Sequence, residues 1–382
     1  MHMSQRRPSL DAATAAVRHA VRECLAALRP GRVLVGVSGG ADSLALAAAV
    51  AHVAPRLGIG WGTLTVDHGL QAGSAAVAAT AARRCAALGA DPAAVERVRV
   101  TGSGGMEAAA RRARLAALER ARCAQGADLV LLAHTLDDQA ETVLLGLARG
   151  SGPRAVGGMR PVAGRIVRPL LGLRRCVTRA SCRARGIPVW DDPQNHDPRF
   201  ARVRVRDRVL PLLERELGPG FAAALARTAA LVGEDTALLD AMAAERAASC
   251  AAGVLPVALV RDLPGPLATR TVKRVVEAAL GRPQQRVHVE AVVRLATTWH
   301  GQGPIDLPGG RARRVGDEIR VAAATSPSRP RRARVGRVPA QPVTEEPPPH
   351  ETRRHQGRSR RGPAHPRADP DPHSGARPGD RA

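Results

Sequence analysis

No tyrosine occurs among the 382 residues, and the only lysine is Lys273. The aromatic rings are Trp61, Trp190, Trp299, Phe200 and Phe221 and no others. So few rings exclude a surface that stacks bases on clustered aromatics, and leave arginine planes as the platform for any nucleobase. No Cys-x-x-Cys pair is present: Cys24, Cys85, Cys123, Cys176, Cys182 and Cys250 are dispersed. That spacing excludes a zinc knuckle and an iron–sulfur motif, and the thiols read as buried small hydrophobes. No apolar run reaches the ~18 residues of a membrane-spanning helix; the longest, around 44–55, is alanine-rich and short. The first residues, MHMSQRRPSLDAATAA, lack the apolar stretch of a secretory signal, so the expectation is a cytoplasmic chain with no membrane partner.

What is abundant is arginine. Lys and Arg number 58 against 34 Asp and Glu, a net charge of +24. This composition points to a polyanionic partner, although coding bias in a GC-rich genome produces the same excess. Residues 326–382 hold 13 Arg, 6 acidic residues and 12 Pro, a tail too poor in apolar surface to fold and expected to be disordered. The remaining 325 residues keep 45 basic against 28 acidic side chains, enough to attract nucleic acid. A 44% hydrophobic fraction is ordinary for a folded protein. Length and patterning suggest a domain over 1–215, a mainly helical one over 216–325 that is a candidate for RNA binding, and the tail over 326–382.

The first half alternates apolar β-type runs with helical patterns. Val33–Val37, Trp61–Val66, Val95–Val100 and Leu129–Ala133 read as strands, with helices at about 42–54, 74–88, 106–122 and 136–148. Such alternation predicts an α/β fold: a parallel sheet with helices on both faces, followed by a smaller helical domain. Ligands bind beyond the C-terminal ends of the strands in such sheets. After 216 a long helix should bury a stripe of Phe221, Leu225, Val232, Leu239 and Met242. Further helices are expected at 266–280 and 286–299, and a β-hairpin at 304–323 turning at LPGG.

The loop after the first strand is the informative one. Val33–Val37 runs into Ser38-Gly39-Gly40-Ala41-Asp42-Ser43 and then a helix. Two glycines let backbone amides approach a ligand, and the helix start adds positive potential, so the segment reads as a phosphate site. Ser38 and Ser43 add hydroxyls; Asp42 beside phosphates calls for a bridging Mg²⁺, which favours oxygen ligands. A Walker A loop fails for want of its lysine. Gly36-Val37-Ser38-Gly39-Gly40 also matches the G-x-S-x-G elbow of serine hydrolases, but only one strand precedes it. A purely structural glycine turn is the plainest competitor.

At the end of the fourth strand come His134, Asp137, Asp138 and Glu141, on one face of a helix starting near Thr135. Thr135 and Asp138 also fit a capping box, so any single acid has a structural explanation. Ser38–Ser43 resembles the SGGxDS signature of the PP-loop ATP pyrophosphatases, and His134–Thr142 resembles the HxxDDQxET motif of the tRNA(Ile)-lysidine synthase family. Further elements follow in that family's order. These are Val66–Leu70, with Asp67 replacing a common histidine; Gly105–Arg114, with Leu115 where the family has tyrosine; Arg149–Gly152; Arg168–Leu171; Asp191–Asn195; and Arg202, Arg206 and Arg208 before Pro211, with Val203 replacing an asparagine. The resemblance spans about 30–325 and is strongest over 33–215.

The resemblance implies ATP-dependent ligation of free L-lysine to the wobble cytidine of an isoleucine tRNA with a CAU anticodon. ATP first adenylates the cytosine, releasing pyrophosphate, and the lysine amine then displaces AMP. It implies ATP binding at Ser38, Gly39, Gly40, Ala41, Asp42 and Ser43, with Mg²⁺ at Asp42. Catalytic roles fall to Asp42, His134, Asp137, Asp138 and Glu141, and contacts to RNA or substrate to Glu107, Arg111, Arg149, Arg202 and Arg206. Because free lysine is almost wholly protonated at neutral pH, a carboxylate is needed to orient the ammonium and take its proton; Asp137 and Glu141 are the candidates. Glu107 and Arg111 also fit a surface i,i+4 pair, and the arginines of 202–208 a solvated face. The rivals are a tRNA thiolase on the same phosphate loop, for which cysteine spacing is wrong, and a non-catalytic RNA-binding protein, against which the intact acid cluster argues.

Overall fold

A computed structural model describes residues 10–69, 71, 73–101 and 105–324, apart from the side chains of Met106 and Glu107. The expectations for Glu107, Leu70 and the 326–382 tail lie outside the described residues. The first described element is a helix that the strand–helix reading did not include, α1 (Ala12–Leu28). Asp11 caps it by accepting the Thr14 N–H at 2.8 Å, and Thr14, Val17, Val21 and Leu25 recur at three- and four-residue intervals on its buried side.

The predicted alternation then follows: β1 (Arg32–Val37), α2 (Ala41–Val53), β2 (Gly60–Asp67), α3 (Ser74–Ala87), β3 (Ala93–Arg97), α4 (Met106–Ala124), β4 (Leu129–Leu131) and α5 (Leu136–Ala148). β3 ends three residues before the expected Val100. Its register runs from Thr63↔Ala93 to Asp67↔Arg97, and β2 stops at Asp67, so no strand remains to pair with residues beyond Arg97. A short α6 (Pro153–Val156), β5 (Val162–Ala163), β6 (Ile166–Val167) and α7 (Arg175–Ala184) come next.

The six strands lie in the order β3-β2-β1-β4-β6-β5. All pairs are parallel except the β5–β6 hairpin at the edge. The order of the chain reverses between β1 and β4, and in sheets of this kind the crevice at such a switch point, beyond the C-terminal strand ends, is where ligands bind. One face is covered by α1, α2, α3 and α7 over Val33, Val35, Leu46, Val50 and Leu170; the other by α4 over Leu34, Leu64, Val130 and Leu132. Leu115, where the family has tyrosine, packs half-buried in this second layer. α4 sits close because Gly36 has no side chain: a Cβ there would lie 2.9 Å from Leu132 Cδ2 and 3.3 Å from Leu118 Cδ2.

Beyond the sheet, α8 (Ala201–Arg204), a π-helical turn (Val205–Val209) and α9 (Leu210–Glu216) form one continuous helical stretch. Pro211 has no N–H to offer the Asp207 carbonyl, which loosens the helix at this turn. Next are α10 (Phe221–Ala248), β7 (Val254–Pro256), α11 (Val257–Asp262), α12 (Gly265–Leu280), α13 (Arg286–Thr297), β8 (Ile305–Leu307), β9 (Gly310–Val315) and β10 (Glu318–Ala323). The hairpin expected at 304–323 is part of a four-stranded antiparallel sheet, β7-β10-β9-β8. It shares an apolar core of Leu255, Val272, Val276, Val292, Leu295 and Ile319 with α11–α13.

The stripe predicted for α10 requires correction. The buried residues are Ala222, Ala229, Thr236 and Ala243, seven apart; Phe221, Leu225, Val232 and Leu239 are half-buried, and Met242 is exposed. α10 packs against α5, α6 and α12, and at the α6 end Gly157 meets Gly233 so closely that a Cβ on Gly157 would lie 3.2 Å from the Gly233 Cα. Such close approach selects small residues over bulky ones. The cysteines are all free; Cys85 and Cys182 are buried as expected, whereas Cys123 and Cys176 are exposed. Among the described residues no helix is long and apolar enough to cross a membrane.

Candidate active site

β1 delivers Ser38 to the crevice, and Gly39 turns the chain at φ +84°, a conformation that glycine adopts without strain. α2 then begins at Gly40 with no side-chain cap, so the amides of its first turn remain available to a ligand. The two hydroxyls brace the turn. Ser43 Oγ accepts the Ser38 N–H at 3.1 Å, donates to the Gly40 carbonyl at 3.0 Å, and lies 3.2 Å from Ser38 Oγ. The partners of Ser38 are thus serine and backbone, with no histidine base, which counts against the hydrolase elbow. From the far side the Trp190 N–H donates to the Gly39 carbonyl at 3.0 Å. The next residues also reach this neighbourhood: Asp192 caps its own short helical turn and accepts from Gln71 Nε2 at 2.8 Å.

Opposite the turn, α5 starts with the capping box the sequence suggested. Thr135 Oγ1 accepts the Asp138 N–H, and Asp138 Oδ2 accepts the Thr135 N–H at 2.8 Å. The cap leaves the other Asp138 oxygen free to point across the crevice. There it meets Arg175, the first residue of α7. The Arg175 guanidinium donates to Asp138 Oδ1 at 2.8 Å and to Glu141 Oε1 at 3.1 Å, and its Nε is 3.6 Å from Asp42 Oδ2. Its backbone N–H donates to Asp137 Oδ2 at 2.7 Å. One residue therefore touches all four predicted acids. Arg174 adds a contact to Asp137 at 3.1 Å, and Thr178 Oγ1 donates to Asp42 Oδ1.

Glu141 is fully buried and serves three guanidinium groups: Arg175, Arg202 at 2.6 Å and Arg206 at 2.8 Å. Burial alone would raise the Glu141 carboxyl, but Arg206, Arg175 and Arg202 outweigh it and hold it below the ordinary range. The same contest holds Asp138 at about 2, with Arg175 and Arg202 overcoming desolvation. Arg175 answers in kind: despite burial, Asp138, Glu141 and Asp42 strengthen its hold on the proton. Asp42 goes the other way, raised by desolvation despite Thr178 and Arg175. His134, at the end of β4, is driven to about 3 by burial and stays neutral.

The structure thus brings Asp42, Asp137, Asp138, Glu141, Arg202 and Arg206 into one network, with His134 beside it. It separates Arg149, which caps the far end of α5, about 17 Å along the helix axis from Asp138, exposed to solvent. Arg111 is exposed on α4. The residues that sequence reasoning missed are Arg174, Arg175 and Thr178, just after Arg168–Leu171. The adjacent arginine pair was visible there, but nothing local says that it faces acids more than thirty residues away.

A mostly parallel α/β sheet, with an SGG-type turn at its switch point and an acid-rich helix start across the crevice, defines a nucleotide-binding protein of the PP-loop class. Residues 13–213 match the PP-loop domain family. The tRNA(Ile)-lysidine synthase of Leifsonia xyli subsp. xyli is 57% identical over 291 residues, covering 74% of this chain and 88% of its own length. Those of Thermobifida fusca (50% over 318 residues; 81% and 97%) and Streptomyces coelicolor (49% over 296 residues; 75% and 84%) are similarly close. The chain belongs to the tRNA(Ile)-lysidine synthase family.

Proposed function

We propose that this protein ligates free lysine to the wobble cytidine of an isoleucine tRNA bearing a CAU anticodon, consuming ATP and releasing pyrophosphate and AMP. The observation that carries the reading is the bridge made by Arg175, which ties the phosphate turn at Asp42 to the acids of α5 across a single crevice. Two half-reactions that share one cytidine need their binding groups side by side. In the first, the cytosine C2 oxygen attacks the α-phosphorus of ATP and pyrophosphate departs, its charge met by the amides and hydroxyls of Ser38–Ser43. In the second, the lysine amine attacks C2, AMP leaves, and the amine gives up its proton.

The acid that takes that proton must be reachable. Both Glu141 oxygens are held by guanidinium groups, so an ammonium reaches Glu141 only if one of these withdraws. Asp137 lies nearer the rim, partnered by the half-exposed Arg174, and can be approached without such an exchange. Neutral His134 supplies a hydrogen bond rather than a charge. Asp42 is the one acid of the phosphate turn, and Arg175 holds its Oδ2 only loosely, which suits a single carboxylate ligand for Mg²⁺ completed by phosphate oxygens and water. When bound, that ion would neutralise phosphate charge beside Asp42. Arg111 and Arg149, exposed and outside the acid network, are left to meet RNA phosphates. Acting on tRNA, the protein works in the cytoplasm.

The test supplies labelled lysine, ATP and the CAU-anticodon isoleucine transcript to purified protein. Lysine is expected to enter that RNA and not the methionine tRNA sharing its anticodon. Absence of incorporation, with ATP still bound, would refute the reading.

A further inference from the structure

The helices that form the site also have far ends. α2 starts at the glycine turn with Asp42 and runs back along the sheet, so His52 lies about 15 Å from Asp42, at the edge where the parallel strands begin. α7 runs the same way: Arg175 at its start meets Asp42, and Arg185 just past its end is near enough to disfavour the charged form of His52. α1 packs against both, with Thr14 Oγ1 3.0 Å from Ser181 Oγ of α7. Between α1 and the end of α2 lies a half-open cavity of about 370 Å³. Cavities of that size hold small organic ligands.

Its lining combines two kinds of surface. Arg18, Arg22 and Arg56 supply positive charge, and no acid lines it among the described residues. Leu10, Val53 and Leu57 supply apolar surface, and Leu10 and Leu57 remain exposed to solvent. The three charges are not equally committed. At the rim, Glu23 lies 3.8 Å from Arg22 and 3.9 Å from His19. Arg56 turns one N–H onto the His52 carbonyl. Arg18 has no ion pair among the described residues, and its Nε is enclosed with no acceptor. Enclosed donors nearly always find a partner, so a guanidinium N–H placed in this way calls for an anionic acceptor. Electrostatics agrees. Burial, then Arg185 and Arg56, weaken the hold of Arg18 on its proton; the one acid that offsets this is Asp11, which is engaged in capping α1. His52 is lowered as well, by burial and then by Arg18, Arg56 and Arg185, so its ring adds no charge.

We propose that this cavity is a second ligand site, remote from the catalytic crevice, that takes a small amphipathic anion. Its phosphate or carboxylate head would meet the guanidinium groups of Arg18 and Arg56, and its apolar body would cover Leu10, Val53 and Leu57. Guanidinium forks match the paired oxygens of either head group. The site is independent of the reaction proposed above. A small molecule suits it better than RNA: a nucleic-acid backbone is held by cations on an open surface, whereas the Arg18 Nε is enclosed and has apolar side chains beside it. α2 and α7 carry Asp42 and Arg175 at their other ends, so a ligand seated here touches the same helical layer without entering the crevice.

Calorimetric titration of the full-length protein with octyl phosphate tests the site. One equivalent should bind at least about 10-fold more tightly than inorganic phosphate, which lacks the apolar body, or 1-octanol, which lacks the charge. Arg18→Gln and, as a second variant, Arg56→Gln should each weaken octyl phosphate by about 10- to 100-fold without lowering the melting temperature. Leu57→Ser should weaken octyl phosphate and spare inorganic phosphate. Octanoate titrated in parallel assigns the head group, the tighter of the two marking a phosphate or a carboxylate ligand. Equal affinity for octyl phosphate and inorganic phosphate, or indifference to both arginine variants, overturns the proposal. Displacement of octyl phosphate by a non-hydrolysable ATP analogue does so too, because it places the anion in the crevice. Displacement by an isoleucine tRNA transcript whose own binding Arg18→Gln weakens would make the cavity part of an RNA surface, and also refutes it. Failure of the unaltered protein to incorporate lysine would instead strike the proposed function and leave these titrations standing.

Discussion

At the scale of single residues, charge pairing governs the crevice. Glu141 is enclosed by three arginines, so Glu141→Gln removes the carboxylate they share and leaves Arg206 without an ion pair among the described residues. Breaking a buried pair in this way costs about 3–5 kcal/mol. The variant should melt earlier by a corresponding amount and lose lysine incorporation, and an unchanged melting curve would show that the network contributes nothing to stability. His134 gives a pH signature. Its folded value near 3 lies below the ordinary 6.5, so on acidification the unfolded chain takes up a proton that the folded chain refuses. Stability is therefore lost as pH falls from 6.5 toward 3, at up to about 1.4 kcal/mol per pH unit from this residue. Urea denaturation of His134→Gln between those limits should show a shallower decline than the unaltered protein. A residue-level reading of the sequence found these acids and this histidine because motif spacing exposes them. It did not find Arg175, whose significance lies entirely in what it touches.

At the scale of elements, close packing decides more than hydrophobicity. The sequence suggested that α10 buries Phe221, Leu225, Val232, Leu239 and Met242, yet it buries mainly alanines and leaves the first four of these half-buried and Met242 exposed. Ala229→Leu should therefore destabilise by about 1–3 kcal/mol through overpacking. Met242→Lys, at an exposed position of the predicted stripe, should shift stability by no more than about 0.5 kcal/mol. The reverse ranking in denaturant midpoints would restore the original stripe. Gly36 sets the height of α4 above β1, and Gly36→Val drives a side chain into Leu132 and Leu118. A loss of about 1–3 kcal/mol is expected. The π-helical turn at 205–209 follows from Pro211 and lies just where Arg206 reaches Glu141. The positions of β1 to α5, α10, α12 and α13 were legible from periodicity, α1 and the short elements were not, and the choice of face was not, because a helix pattern does not reveal how near its neighbour comes.

At the scale of the whole molecule, a net charge of +24 sets the terms of association. The affinity for tRNA should fall by about 100-fold or more between roughly 50 and 200 mM salt, far more steeply than that for ATP, as counterion release requires. Removing residues 326–382 takes away 13 Arg and 6 acidic residues and should make that slope shallower; an unaltered slope would mean the tail takes no part in RNA binding. By itself the sequence determined the alternation of β1 to α5, the glycine turn at 38–43 and the run of acids at 137–141, because each depends on neighbours a few residues away. The tertiary structure alone decided that Arg174 and Arg175 would meet those acids and Thr178 would meet Asp42, and that Glu141 would be sealed and Asp137 left near the rim. Whether a charge is neutralised depends on distance in space, and the pairs concerned are separated by 34 to 136 residues along the chain.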